Sequence, residues 1–157
     1  MNTQQAIRVA CVGAGYFSRF HYESWSRMPG AVPIASCNRD INTAKATGLA
    51  AYADLSTLLE TEKPDLVDII LPPVAQAEAI RSALRFGIKW LICQKPFCLS
   101  LDEAEKIVSE AEAVGATIVV HENFRFQPWY REIRRLLDQG VLGEVYQAAF
   151  RLRPGDG

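Results

Sequence analysis

The stretch CVGAGYFSRFH, Cys11 to His21, decides the reading of the fold. It joins an apolar run, AIRVACV, to a segment in which Phe17, Phe20, His21, Trp25 and Met28 recur at three- and four-residue spacing, the period of one helical face. Gly13 permits a tight turn between the two, and Gly15 lets the backbone approach a pyrophosphate whose charge faces N–H groups at the helix start. A third glycine is usual in such a turn, and Ser18 stands in its place. That position governs how closely helix packs on strand, so serine implies a small displacement with the turn retained.

Downstream, short β-branched runs alternate with segments of helical period, the pattern of βαβ units and a parallel sheet. VPIASCN, DLVDIIL, IKWLICQ and TIVVHEN read as strands two to five. DINTAKATGLA reads as one helix opened by Asp40, and DLSTLLE as a short one opened by Asp54, both N-cap residues. VAQAEAIRSALRFG ends at Gly87, and LDEAEKIVSEAEAVG is opened by a Ser100–Glu103 capping box and closed by Gly115. After TIVVHEN the character changes. QPWYREIRRLLDQG is a basic amphipathic helix, and GEVYQAAFRLR alternates as a sixth strand does. The fold class implied is α/β, a Rossmann-type doubly wound parallel sheet over residues 1–121, followed over 122–157 by the first helix and strand of a second, incomplete α+β domain for substrate binding or dimerisation. That last strand has no later strand to pair with, so the chain is expected to be a truncated product or a fragment.

Composition narrows the function classes. The 157 residues are 49% hydrophobic and 22% charged with a net charge of −1, which provides no field to gather nucleic acid or a membrane surface. The N-terminus MNTQQ lacks the features of a signal peptide, and no apolar run approaches the ~20 residues of a membrane span. A soluble, cytoplasmic protein is expected. Cys11, Cys37, Cys93 and Cys98 form no C-x-x-C pair, and His21 and His121 have no ligand-spaced partner, so reduced, mostly buried thiols are expected and no metal.

In an open parallel sheet, ligands bind beyond the carboxyl ends of the strands. The candidates there are Gly13, Ala14, Gly15, Tyr16 and Phe17, then Asn38 and Arg39, Leu71 and Pro72, Gln94, Lys95 and Pro96, and finally Asn123. An acid at the end of the second strand would bond both ribose hydroxyls and repel a 2′-phosphate. Asn38 is neutral and Arg39 can face adenine or that phosphate, which tilts the cofactor, NAD(P), toward NADP. Lys95 is the most chemically pointed residue. It ends an apolar strand and precedes Pro96, whose ring restricts the lysine backbone and favours a cis bond. Partial burial beside a cationic nicotinamide would favour the neutral amine, the form that takes a proton. A solvated lysine in a turn is the alternative. His121 is a ring-nitrogen donor or a structural residue, Asn123 can bond a carboxamide or a substrate hydroxyl, and Arg125, between Phe124 and Phe126, can anchor one domain to another.

These features together resemble the Gfo/Idh/MocA oxidoreductases, relatives of glucose-fructose oxidoreductase and inositol dehydrogenase. VGAGYFSRFHYESW is similar to the family's nucleotide loop, LPPVAQAEAIRSALRFGIKWLICQKPF to its third-strand-to-lysine segment, and HENFRFQPWYREIRRLLDQGVLGEV to its passage into the second domain. The resemblance implies a dehydrogenase that moves hydride between NAD(P) and a hydroxyl-bearing carbon of a sugar or polyol, with Lys95 as the catalytic lysine. It also implies that this chain binds cofactor without a complete active site. Three positions depart from the family pattern: Gln94 replaces the usual glutamate before the lysine, Gln76 a frequent histidine, and Leu71 a small polar residue. The competing reading is a non-catalytic nucleotide-binding or interaction module that forms a homo-oligomer through its last strand. A binder of another nucleotide-like ligand through the same loop is a third.

Overall fold

The first apolar run forms β1 (Ile7–Val12), one of the two central strands of a parallel sheet in a computed structural model that describes residues 5–151. The other strands are β2 (Ala31–Cys37), β3 (Ala50–Tyr52), β4 (Leu66–Ile69), β5 (Trp90–Cys93) and β6 (Thr117–Val120), in the order β3-β2-β1-β4-β5-β6. Every pairing is parallel. The helices are α1 (Ser18–Arg27), α2 (Ile41–Lys45), α3 (Leu55–Glu62), α4 (Pro73–Arg85), α5 (Leu101–Ala113) and α6 (Pro128–Asp138), with a 3-10 turn at Asn123–Phe126. The chain divides into two compact units, Met1–His121 and Glu122–Gly157.

Strand alternation sends successive side chains to opposite faces of the sheet, and each face meets a different set of helices. Ala10, Val12, Val67, Ile69, Leu91 and Cys93 join the larger core with Leu58 and Leu59 of α3, Ile80 and Ala83 of α4 and Ile107 of α5. Val9 and Cys11 pack on the other face with Trp25 of α1, beside half-buried Leu66 and Ile70. Asp68 is paired with Cys11 in register and lies between Leu66 and Ile70, so a carboxyl group faces α1 from inside the sheet.

Several boundaries follow from local chemistry. Asp40 and Asp54 cap α2 and α3, accepting from Asn42 N at 3.0 Å and Thr57 N at 2.8 Å. Ser100 caps α5 by accepting from Glu103 N, and the reciprocal bond of Glu103 goes to Leu99 N, one residue earlier than in a standard capping box.

Three expectations are corrected. Residues 40–50 do not form one helix: α2 stops at Lys45, Gly48 takes φ +78°, and Ala50–Tyr52 pair with Ala35–Cys37 as an edge strand. The buried face of α1 is Ser18, His21 and Trp25, whereas Phe17, Phe20 and Met28 are exposed, because Asp68 draws the polar His21 inward. Residues 144–151 form no strand and are exposed; backbone in this region has no neighbouring strand among the described residues to pair with. Leu152 and Arg153, the end of that expected strand, lie outside the described residues.

Candidate functional site

Because all six strands are parallel, their carboxyl ends lie along one edge, and the strand order reverses between β1 and β4. Gly13 sits at that reversal. Its φ is +110°, and a Cβ there would lie 2.3 Å from Ile70 O and 3.4 Å from Leu71 Cδ2, so no side chain fits. The turn is pinned on both flanks: Gly13 N donates to Cys37 O at 2.8 Å, and Tyr22 Oη donates to Gly13 O at 3.2 Å while sharing a 2.7 Å bond with Ser36 Oγ. A Cβ on Gly15, by contrast, would meet nothing within 4 Å. Ser18 is buried with its hydroxyl donating to Gly15 O at 2.6 Å, so it closes the turn internally where a third glycine would leave only space.

Tyr16 and Phe17 are exposed on the loop, and the Arg19 guanidinium lies 4.0 Å from the Tyr16 ring centroid. Among the described residues, the backbone N–H groups of Gly15, Tyr16 and Phe17 have no hydrogen-bond acceptor. A glycine turn with unpaired donors at the start of a ten-residue helix fits a pyrophosphate.

The neighbouring strand ends converge on this turn. Asn38, just past β2, accepts from Ala14 N at 3.4 Å and donates to Asp40 O at 3.1 Å. Asp40 is occupied as a cap: hydrogen bonds from the Thr43 hydroxyl and Asn42 N hold its carboxyl below the usual range. Arg39 is exposed between them. Beyond β4, Leu71 is half-buried beside Gly13, and Pro72 precedes α4.

Beyond β5, the Lys95–Pro96 peptide is cis. Gln76, fully buried on α4, brackets this segment: its Oε1 accepts from Gln94 N at 2.7 Å, and its Nε2 donates to Pro96 O at 2.8 Å and Phe97 O at 3.4 Å. The backbone on either side of Lys95 is thus held by one side chain. Lys95 itself is exposed on this edge. Asn123 opens the 3-10 turn of the second unit, where the Arg125 guanidinium lies 5.3 Å from the Phe126 ring centroid.

Behind the edge runs a buried polar chain. Asp68 Oδ2 accepts from Trp25 Nε1 at 2.7 Å and lies 2.8 Å from His21 Nδ1; His21 Nε2 lies 2.8 Å from Gln94 Nε2, which is 3.1 Å from His121 Nδ1. Burial, and secondarily the charge of Asp68, push the thiols of Cys11 and Cys93 up, the latter to about 12. All four cysteines are free, and only Cys98 is half-buried. Sequence reasoning did not connect Asp68, Tyr22 and Ser36 to the site, and it noted Gln76 only as a departure from the family pattern, not as the clamp on the Lys95 segment. The available signal was Asp68, an acid at an inward position of an otherwise apolar strand.

A switch-point glycine turn on a sheet of this order defines a dinucleotide-binding α/β protein. Residues 7–122 match the family model GFO_IDH_MocA, described as an oxidoreductase family with an NAD-binding Rossmann fold, and the chain belongs to that family. It is 35% identical over 149 residues to a D-apiose dehydrogenase of Paraburkholderia graminis, covering 92% of this chain and 40% of that protein. The chain therefore spans about two fifths of the length of that relative. An oxidoreductase from Agrobacterium radiobacter, solved in complex with NAD+, L-tartaric acid and magnesium, superposes with TM-score 0.84 at 30% identity over 88% of this chain and 42% of its own. A 3-ketoreductase from Actinomadura kijaniata, solved with TDP-benzene and NADP, gives 0.78 at 28% over 88% and 45%. Among the described residues, no helix is long and apolar enough to cross a membrane.

Proposed function

We propose that this chain binds NAD(P) along the carboxyl edge of its sheet and supplies the lysine that moves a proton during oxidation or reduction of a sugar or polyol. The observation that carries the reading is the convergence at one edge of a side-chain-free glycine, unpaired loop N–H groups and a lysine whose flanking backbone is clamped. The relatives named as a sugar dehydrogenase and a 3-ketoreductase support the substrate class. Gly13, Ala14, Gly15, Tyr16 and Phe17 take the pyrophosphate, with Asn38 and Arg39 at the adenosine ribose. Leu71 and Pro72 line the path toward the nicotinamide, and Gln94, Lys95 and Pro96 complete the set. When bound, the nicotinamide accepts or gives the hydride. In oxidation, the Lys95 amine takes the hydroxyl proton as the hydride leaves the same carbon; in reduction, its ammonium returns that proton to the carbonyl oxygen.

Cofactor choice leans to NADP. Asp40 is engaged as a helix cap, Asn38 carries no charge, and the exposed group at the end of β2 is the cationic fork of Arg39. The four free cysteines suit a reducing compartment, the cytoplasm. Titration of the chain with NADPH and with NADH, followed by nicotinamide fluorescence, tests the reading. Tighter binding of NADPH is expected, and absence of binding by either at millimolar concentration would sink the cofactor assignment. Where turnover is measured, Lys95→Ala should lower it far more than it weakens cofactor affinity, and equal losses would make Lys95 a binding residue only.

A further inference from the structure

Gln94 joins two histidines from opposite sides of the buried chain. An amide nitrogen only donates, so the two hydrogens of Gln94 Nε2 go to His21 Nε2 at 2.8 Å and His121 Nδ1 at 3.1 Å. Each of those ring nitrogens is then bare. An indole N–H also only donates, so the Asp68 Oδ2 that takes Trp25 Nε1 is an acceptor, and the His21 Nδ1 beside it carries the ring's proton. Asp68 Oδ1 is buried with no partner among the described residues, which leaves Oδ2 as the oxygen through which this carboxyl is held.

We propose that Gln94 is a positioning residue that fixes His21 as the Nδ1–H tautomer and His121 as the Nε2–H tautomer, and so ties the nucleotide-loop helix α1 to the strand end bearing Lys95. The link is direct at both ends. His21 and Trp25 belong to the helix that opens at the glycine turn, Asp68 belongs to β4, and Gln94 is the residue before Lys95. His21 and His121 meet edge-on with ring centroids 4.8 Å apart, so the amide sits at the junction of two rings whose orientations it sets. Gln94, 8% exposed, has both amide hydrogens engaged by the histidines and acts on the cofactor edge through them. The functional consequence rests on the cofactor reading above; the tautomers rest on geometry alone.

The test is long-range ¹H–¹⁵N correlation of the imidazole rings in this chain at pH 7.5, with the two histidines assigned from a His121→Gln sample. The expected spectrum has one protonated and one bare nitrogen in each ring, Nδ1–H for His21 and Nε2–H for His121. His21 protonated on Nε2, or on both nitrogens, would overturn the proposal. Gln94→Glu replaces a double donor by acceptors and should bring a second proton to His21, between Asp68 and the new carboxylate; an unchanged His21 spectrum would also overturn it. Gln94→Leu removes both bonds, and loss of about 1 kcal/mol of that linkage should weaken NADH binding about fivefold. Equal NADH affinity in Gln94→Leu and the unsubstituted chain would refute the positioning role. Failure of the unsubstituted chain to bind either NADPH or NADH would count against the cofactor reading and leave the tautomer result standing.

Discussion

Replacing Gln76 by alanine removes the side chain that brackets Lys95, and its cost can be worked from the contacts. The amide accepts from the buried Gln94 N–H at 2.7 Å and donates to Pro96 O at 2.8 Å and, more weakly, to Phe97 O at 3.4 Å. In the alanine variant the Gln94 N–H loses its acceptor where water does not reach, at about 1–3 kcal/mol. The two carbonyls are part-buried and recover solvent, so their loss counts little. Gln76 is fully buried, and the space left by its truncated side chain adds about 1 kcal/mol. The sum is about 3 kcal/mol, a large share of a typical 5–15 kcal/mol domain stability. Urea unfolding followed by fluorescence of buried Trp25 should show the midpoint falling by roughly 1–2 M at unchanged slope. A loss below about 0.5 kcal/mol would mean that Gln94 N finds another acceptor and that Gln76 does not hold the lysine segment. Gln76→Glu sharpens the test. Its carboxyl keeps the acceptor for Gln94 N but faces Pro96 O without a hydrogen unless protonated. The folded-state pKa is then raised, and the variant should regain stability as pH falls through the carboxylate range.

Gly13→Ala should destabilise the fold by about 3 kcal/mol or more, from the 2.3 Å clash with Ile70 O and the positive φ, whereas Gly15→Ala should leave the unfolding midpoint nearly unchanged and weaken NADH binding; equal effects on stability would refute the division of labour between the two glycines. Hydrogen bonds from Thr57 N and its hydroxyl hold the Asp54 carboxyl below its usual range, so the cap contributes above the unfolded pKa of ~3.9 and is lost as pH falls through the folded value. Asp54→Ala should therefore flatten the acid limb of a stability–pH curve. An aromatic disulfide reagent should modify Cys98 first in the native protein, because Cys11, Cys37 and Cys93 are buried with their thiols pushed up; simultaneous reaction of all four would show that the core opens.

The alternation of strand and helix was legible because each main strand carries its own apolar run and each long helix its own cap. Where an element depends on a partner, the sequence is silent. Ala50–Tyr52 is a strand because β2 offers it an open edge; Gly48 marks where helix ends, but the three residues AAY carry no strand pattern of their own. The converse holds at residues 144–151, where an alternating pattern is present without a neighbouring strand to pair with among the described residues, and no strand forms. The same principle governs α1, whose period was evident but whose inward face is rotated onto Ser18, His21 and Trp25.

That rotation also explains why the glycine turn and Lys95 were visible while the machinery behind them was not. A turn that excludes a side chain, or a lysine before proline, carries its constraint in adjacent residues. The hydrogen bonds behind them join positions 43 to 73 residues apart: Trp25 to Asp68, His21 to Asp68, His21 to Gln94. Each of these residues taken singly has an ordinary alternative, a surface glutamine or an exposed histidine. They become a unit only because the parallel order puts β4 between β1 and β5 and the His21 and Trp25 side chains of α1 reach Asp68 on β4. Asp68 is the residue on which the assembly turns, since a carboxyl inside the sheet is costly unless paired, and its partners, His21 and Trp25, sit one helical turn apart on α1. The position of the nucleotide loop is therefore fixed by a buried acid as well as by glycine, and removing that acid should loosen the loop without altering any residue that faces the cofactor edge.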